Sequence, residues 1–376
     1  MLIELYIWAF FSIAYGAFIT IAIIGFGRLR KSIPFENISN RQFISIIISA
    51  RNEAHCIEAC IKEIEKQHFL KNNFELIIVD DASEDNTYQL ALNLLNKLDI
   101  SHHIIKQEVH LGKKKNISLA IEKAKGAIII TSDADVINRH SNWLRTISDY
   151  FEMYSPNMLI MPVDFETKLG ILSCFQIVEN LALTAITAGY CGINKAFMCN
   201  GANLAFLKQA YHSVDGYNNH IHYSSGEDVF LLEELKKMDE KAIHYGLLKE
   251  LIVKTIALET MTSFFNQRLR WASKAKNNSN TLSLSAGFII LGTNLLVLAL
   301  LMGILQESLL VSYLLVFIIA KIVFDFLLLF LAADFLRRYQ YMWLVIPFQC
   351  VYWIYALTVG TASLFLKPYW KEKKIN

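Results

Sequence analysis

The stretch GAIIITSDADV, Gly126 to Val136, decides how the middle of the chain is read. Ala127 to Ile130 is an apolar run expected to be a buried strand, and two carboxylates follow it, Asp133 and Asp135, one residue apart. Working outward, runs of the same kind recur upstream. FISIIISA (43–50) precedes a helical pattern at 54–68, and ELIIVD (75–80) precedes another near 86–98. HHIIKQ (102–107) is a short third run, and a helical pattern at about 114–125 leads back into the quoted strand. Apolar runs alternating with amphipathic helices predict an α/β domain with a parallel sheet covered on both faces.

In open sheets of this kind, ligands bind beyond the carboxyl ends of the strands. Arg51, Asn52 and Glu53 end the first run, Asp80 and Asp81 the second, and Asp133 and Asp135 the fourth. Carboxylates repel phosphates, but they can hold a hard divalent cation, Mg2+ or Mn2+, that in turn grips a diphosphate. The plainer alternative is that these acids solvate strand ends, or, for Asp80 and Asp81 with Ser83, that they cap the next helix.

The flanks are different. The chain of 376 residues is 54% hydrophobic, with mean hydropathy +0.34, too apolar for a soluble domain of that size. Residues 2–27 carry one acid, Glu4, and no base, and are long enough to cross a hydrocarbon core of about 30 Å. The uncharged start and the lack of a small-residue cleavage site favour a retained helix over a signal peptide. Arg28, Arg30 and Lys31 follow, which places the next segment in the cytoplasm by the positive-inside rule. Three more apolar stretches lie near 284–305, 308–333 and 341–366. The middle one carries Lys321 and Asp325, four apart and expected to pair on one helix face. Arg337 and Arg338 after it, and Lys367, Lys371, Lys373 and Lys374 after the last, all ask for the cytoplasm, so the number of full crossings stays open. The stretch at 169–188 reads as core packing, or else as a surface helix. The organisation expected is a membrane helix at 1–27, a cytoplasmic domain at 41–260, an interfacial helix at 261–280 and membrane or re-entrant helices at 284–366.

The net charge of +2 gives no reason to expect a nucleic-acid partner, and Lys113 to Lys115 is the one basic tract noted. The six cysteines (56, 60, 174, 191, 199 and 350) form no C-x-x-C pair and read as free thiols. His102, His103, His220 and His222 lack metal-ligand spacing, and the sequon Asn37-Ile38-Ser39 falls on the expected cytoplasmic side.

With both acidic pairs in place, the segment from about Ile44 to Trp271 resembles family-2 inverting glycosyltransferases of the GT-A fold, in their membrane-integrated branch. SARNEAHCI resembles the family's opening strand and nucleotide-facing loop, and IIVDDASEDNT is similar to its nucleoside-binding signature. HLGKKKNISLAIEKAKG resembles the Gly-Lys loop and its helix, TSDADV the D-x-D metal site, and NGANLAF (200–206) the loop beside the sugar pocket. SSGEDVFLLEEL (224–235) is similar to the segment carrying the general base, and QRLRW (267–271) to the Q-x-x-R-W motif. Ala82 stands where the family commonly has glycine, and the base segment reads G-E-D.

The resemblance implies roles for particular residues. Asp80 and Asp81 would face the nucleoside, Asp133 the ribose and the metal, and Asp135 would ligate Mg2+ or Mn2+. Lys113 would help to neutralise phosphate, its alternative being a solvated lysine. Asp228 would be the general base, with Glu227 the neighbouring alternative; both could instead only favour a helix dipole. Gln267, Arg268, Arg270 and Trp271 would serve the diphosphate and the acceptor, or anchor an interfacial helix. The implied activity is transfer of a sugar from a nucleotide-diphosphate sugar, UDP-linked, to a membrane lipid or lipid-linked glycan. The rivals are a processive polysaccharide synthase, a nucleotidyltransferase, and a non-catalytic membrane protein that binds nucleotide sugars.

Overall fold

The computed structural model describes residues 2–29, 41–217, 226–277, 280–305, 311–366, 369–370 and 373–374. Arg30, Lys31, the Asn37 sequon, His220, His222, Ser224, Ser225, Lys367 and Lys371 lie outside them. The chain divides into two compact units. A helical unit comprises Met1–Arg28, Thr167–Tyr190 and Ala257–Asn376, and an α/β unit comprises Leu29–Glu166 and Cys191–Ile256.

Helix α1 (Leu2–Arg28) opens the helical unit. The α/β unit then runs β1 (Ile44–Ala50), α2 (Ile57–Glu65), β2 (Phe74–Asp80), α3 (Thr87–Leu95), β3 (Ser101–Lys106), α4 (Lys113–Lys123) and β4 (Ile128–Ser132). It continues through α5 (Trp143–Tyr154), β5 (Met158–Ile160) and β6 (Val163–Phe165). After α6 (Ile171–Gly192) come β7 (Asn203–Leu207), α7 (Lys208–Ser213), α8 (Glu227–Met238), β8 (Ile243–Tyr245) and β9 (Val253–Thr255). Seven strands form one sheet in the order β3-β2-β1-β4-β7-β5-β8. β1 lies parallel to both β2 and β4, and β2 to β3, as the alternation of runs and helices predicts. β7 runs antiparallel between β4 and β5, and β6 pairs with β9 in a separate parallel ribbon.

The mostly parallel half follows from its composition. Every residue of β2 and β4 is buried, as befits strands covered on both faces. Helix α2 turns Ile57, Cys60, Ile61 and Ile64 inward, the i, i+3, i+4, i+7 spacing of an amphipathic helix. Truncating any one of these isoleucines to alanine costs about 2–5 kcal/mol. Gly126, which opens the deciding stretch, is required by packing, because a Cβ there would lie 2.4 Å from the backbone nitrogen of Ser45. Its own N–H donates to Ser45 Oγ at 2.8 Å, fixing where β4 enters the sheet. Successive strands β1, β2 and β3 build outward on one side while β4 is laid on the other, so the strand order reverses between β1 and β4. That reversal is where open α/β sheets leave a crevice for ligands.

The helical unit adds α9 (Met261–Asn277), α10 (Thr281–Leu305), α11 (Val311–Leu336) and α12 (Val345–Phe365), with a short ribbon of β10 (Tyr369–Trp370) and β11 (Lys373–Lys374). Among the described residues, five helical segments are long and apolar enough to cross a membrane: Tyr6–Arg28, Ile171–Gly192, Thr281–Ala299, Leu315–Leu336 and Tyr339–Phe365. The second of these is α6, expected from sequence to pack in the core of the α/β domain. The structure instead groups Thr167–Tyr190 with the other apolar helices. There Gly189 lets α6 and α1 touch, since a Cβ at that position would lie 2.2 Å from the Ala22 carbonyl oxygen. Lys321 and Asp325 pair at 2.6 Å, as their spacing implies. Gln349 and Tyr15 complete the hydrogen bonding of this buried ion pair.

Candidate active site

The site is built where β1, β2 and β4 end. Asp80 and Asp81 close β2 and are buried. Asp80 Oδ2 accepts from the Ser83 N–H at 3.3 Å, while its Oδ1 is buried with no hydrogen-bond partner among the described residues. Asp81 does something different. Its carboxylate accepts from the N–H groups of Leu111 and Gly112 at 2.8 and 3.1 Å, and His110 Nδ1 lies 2.7 Å away. Asp81 thereby ties down the turn that delivers Lys113 at the start of α4.

The rest of the DDASEDNT signature stitches two loops together. Asn52 N–H donates to Ser83 Oγ at 3.0 Å, Glu53 N–H to Thr87 Oγ1 at 2.8 Å, and Ala54 N–H to Asp85 Oδ2 at 3.1 Å. Asn52 Oδ1 accepts from the Glu84 N–H at 2.9 Å, and Arg51 reaches Glu84 at 3.1 Å. These bonds satisfy the backbone donors of the turn after β1 and hold it against the turn after β2. Sequence reasoning assigned no role to Ser83, Asp85 or Thr87 beyond capping by Ser83, because their partners lie some thirty residues upstream. Ala82 has φ of +53°, a left-handed backbone that glycine adopts without steric cost. The departure from the family pattern therefore falls on a residue that bears strain.

Beyond β4, Arg139 holds the D-x-D turn from inside the protein. Its guanidinium donates to Ser132 Oγ at 2.7 Å and to the Val136 carbonyl at 3.0 Å, bracketing Asp133 and Asp135. Sequence reading did not single it out. Asp135 accepts from Thr255 Oγ1 at 2.9 Å. Burial, the neighbouring Asp133 charge and the Glu53 carboxylate push Asp135 up to about 6, against the Thr255 hydrogen bond and Lys113. A crowd of carboxylates with one held up in this way is an oxygen donor set that a hard divalent cation would relieve.

Lys113 joins the parts. Its Nζ donates to Asp133 Oδ1 at 2.6 Å and lies 3.1 Å from Glu227 Oε1. Burial alone would lower its pKa, but Asp133, Glu227 and Asp228 outweigh that and hold it above the ordinary lysine value. It is therefore no solvated surface lysine. Glu227 and Asp228 open α8, both buried. Asp228 Oδ2 accepts from the Gly201 N–H at 3.2 Å and Oδ1 from the Val229 N–H at 2.9 Å, which orients the carboxylate. A Cβ on Gly201 would sit 3.4 Å from Asp228 Cβ and Glu227 Oε1 and 3.5 Å from Lys113 Nζ. Lys113, Asp133, Gly201, Glu227 and Asp228 thus converge from four separate stretches of sequence.

Gln267, Arg268, Arg270 and Trp271 lie on α9 of the helical unit. Arg268 is buried, donates through Nε to Glu179 Oε2 at 2.8 Å and also bonds Gln267. Its guanidinium stacks 4.3 Å from the Trp271 ring centroid, and Tyr355 bonds the same Glu179. Arg270 is half-buried. Two neighbouring cavities in this unit share Tyr15 and Lys321. One of about 90 Å³ is bordered by Glu179, Asn294, Asp325 and Gln349, and one of about 300 Å³ by Trp8, Gly16, Phe317 and Phe324.

Three comparisons bear on this arrangement. A glycosyltransferase AglE of Haloferax volcanii is 31% identical over 106 residues, 28% of this chain and 34% of that protein. The undecaprenyl-phosphate 4-deoxy-4-formamido-L-arabinose transferase of Pseudomonas fluorescens is 29% identical over 98 residues, 26% of this chain and 29% of its own. The chain thus matches about a third of the length of these relatives. The mannosyltransferase PcManGT of Pyrobaculum calidifontis, solved with GDP-Man and Mn2+, superposes over 96% of this chain and 99% of its own with a TM-score of 0.59 at 15% identity, which shows a shared GT-A-like fold. The family model described as Glycosyl transferase family 2 matches residues 45–168, the stretch holding the loop stitching, Lys113 and both acidic pairs. Residues 45–168 are therefore a glycosyltransferase family 2 domain.

Proposed function

We propose that this chain is a membrane-integrated inverting glycosyltransferase that moves one sugar from a nucleotide-diphosphate sugar to a membrane lipid or lipid-linked glycan. The observation that carries the reading is the convergence of Lys113, Asp133, Glu227 and Asp228 at the carboxyl edge of the sheet, where strand order reverses. A cation bridging acids at that edge is what a diphosphate leaving group needs nearby. The relatives support the class, and the Pseudomonas transferase, named for undecaprenyl phosphate, supports a lipid acceptor. The cavities bordered by apolar helices and Lys321 fit that acceptor class as well.

In this reading Asp228 accepts the proton of the acceptor hydroxyl. The hydroxyl oxygen forms its bond to the anomeric carbon as the bond to the diphosphate oxygen breaks, and the diphosphate departs with the electron pair. Asp228 is held for this by the Gly201 and Val229 N–H groups, which orient its carboxylate. Glu227 is occupied with Lys113, which favours Asp228 as the base. Asp80 faces the nucleoside with its unpartnered Oδ1, while Asp81 serves indirectly by fixing the Gly112 turn. Asp135, with Asp133, would hold Mg2+ or Mn2+, and that ion would supply charge neutralisation of the diphosphate; the Mn2+ of the mannosyltransferase complex supports this. The donor is read as UDP-linked from the sequence resemblance. In the Q-x-x-R-W segment Arg268 positions the helix through Glu179 and Trp271, and Arg270 is read from the sequence resemblance as serving the diphosphate or acceptor. The five apolar helices among the described residues support reading the protein as multi-pass, and the positive-inside rule supports reading the α/β unit as cytoplasmic.

The test is to incubate the detergent-solubilised protein with UDP- and GDP-sugars and native membrane lipids. Release of nucleoside diphosphate and a lipid product heavier by one sugar is expected. A ladder of products would indicate a processive synthase, pyrophosphate a nucleotidyltransferase, and binding without turnover a non-catalytic protein.

A further inference from the structure

The turn between β1 and α2, beside the acids read as holding the catalytic metal, carries a group to which the proposed reaction gives no step. Glu53, His55 and Cys56 present a carboxylate oxygen, an imidazole nitrogen and a sulfur that all lie within 4.8 Å of one another. Glu53 Oε2 is 3.3 Å from Cys56 Sγ and 3.9 Å from His55 Nε2. A tetrahedral zinc ion with bonds of about 2.0–2.3 Å has ligand-to-ligand edges of roughly 3.3–3.6 Å. One edge is therefore nearly formed, and the second needs a few tenths of an ångström. The movement falls to His55, whose side chain is 69% exposed and can swing, whereas Cys56 is buried and Glu53 mostly so.

We propose that Glu53, His55 and Cys56 form a binding site for a borderline-soft divalent transition metal, with Zn2+ the best match to its oxygen, nitrogen and sulfur donors. Mg2+ and Mn2+ prefer all-oxygen, octahedral surroundings and do not suit a thiol. The turn is pre-organised for the task. Glu53 and Ala54 are pinned through their N–H groups to Thr87 and Asp85, and the Glu53 carbonyl accepts from the N–H groups of Cys56 and Ile57 at 3.0 and 2.9 Å. On binding, the Cys56 S–H bond breaks, the proton passes to solvent, and the sulfur keeps its electron pair for the metal. The fourth position is left to water. The site neighbours the D-x-D acids electrostatically: Glu53 pushes Asp135 up, and burial, Glu53 and Asp135 push the Cys56 thiol up in the metal-free turn, so the charge of the metal is what draws off its proton. Occupancy therefore adds positive charge beside the acid read as the catalytic-metal ligand, while the triad itself stands independently of the transferase reading.

The test is titration of the detergent-solubilised full chain with CoCl2, followed by absorption. One cobalt per chain with a thiolate-to-cobalt charge-transfer band is expected. Equimolar ZnCl2 should displace it, and millimolar MgCl2 should not. Cys56→Ser should abolish the band, and His55→Ala, at an exposed position that spares the fold, should weaken Zn2+ binding at least tenfold. A band that survives Cys56→Ser, unchanged Zn2+ affinity in His55→Ala, or a cobalt spectrum of oxygen ligands alone would overturn the proposal. The last outcome would leave the Asp133–Asp135 reading standing, and absence of sugar transfer would leave the cobalt result standing.

Discussion

Replacing Lys113 with methionine keeps the length of the side chain and removes a charge that Asp133, Glu227 and Asp228 share. At an effective dielectric of about 20, the contacts at 2.6 and 3.1 Å correspond to gross attractions of roughly 6 and 5 kcal/mol. The Asp133 side chain is 38% exposed, so its share is heavily screened, while Glu227 at 9% keeps most of its own. The lysine also regains its hydration on unfolding, and truncating one partner of a buried pair costs about 3–5 kcal/mol when both are fully desolvated. With that discount, Lys113→Met should cost about 2–4 kcal/mol, a drop of roughly 5–10 °C in the melting temperature. The loss should be larger at pH 8 than at pH 5, because Asp135, held up to about 6, is protonated at pH 5 and then no longer adds to the repulsion that the lysine had offset. Thermal melts of the solubilised protein at both pH values measure this. A variant that melts with the parent at pH 8 would refute the argument that Lys113 is the electrostatic keystone of the site.

Ala82→Gly should stabilise the protein by about 0.5–1 kcal/mol, because relief of the left-handed strain at φ +53° exceeds the added chain entropy; urea midpoints check the sign. Asp135 sits at about 6 in the fold against an ordinary 3.8, so its contribution to the metal-free fold is complete at low pH and is lost as pH rises through 6. The loss is worth up to about 3 kcal/mol. Mn2+ should therefore raise the melting temperature more at pH 7.5 than at pH 5, a chelator should reverse it, and Asp135→Asn should remove both the metal response and that pH slope. Among the apolar helices, Lys321→Met should cost about 2–3 kcal/mol by leaving Asp325 uncompensated, and the double change Lys321→Met with Asp325→Leu should recover most of it in a detergent melt.

The parallel half of the sheet was legible because its strands are runs of isoleucine and valine, each followed by an amphipathic helix. The three-residue strands β5, β6, β8 and β9 were not, since three residues carry no periodicity. NGANLAF was read as a loop, yet its last four residues, from Asn203 to Phe206, enter the sheet in the antiparallel strand β7. Types of residue at strand ends pointed to Asp80, Asp133 and Asp135, and the family resemblance pointed to Lys113 and Asp228. What those residues touch was not legible, because pairing depends on distant segments. Asp81 spends its oxygens on Leu111 and Gly112, Glu227 spends its own on Lys113, and Arg139 lies out of sight beneath the D-x-D turn. For the apolar helix α6, read from sequence as core packing, what Glu179 and Gln176 touch was likewise not legible. Those residues meet Arg268 and the Leu258 backbone, partners some eighty residues further on.

The central claim is that Asp228 takes the acceptor proton, and Asp228→Asn tests it most directly, because asparagine keeps the size and can still accept from the Gly201 N–H. Donor affinity, measured by titration calorimetry with the nucleotide sugar, should stay within about threefold, while transfer to lipid should fall by about 10²–10⁴. Transfer within a few-fold of the parent at full donor occupancy would contradict the assignment.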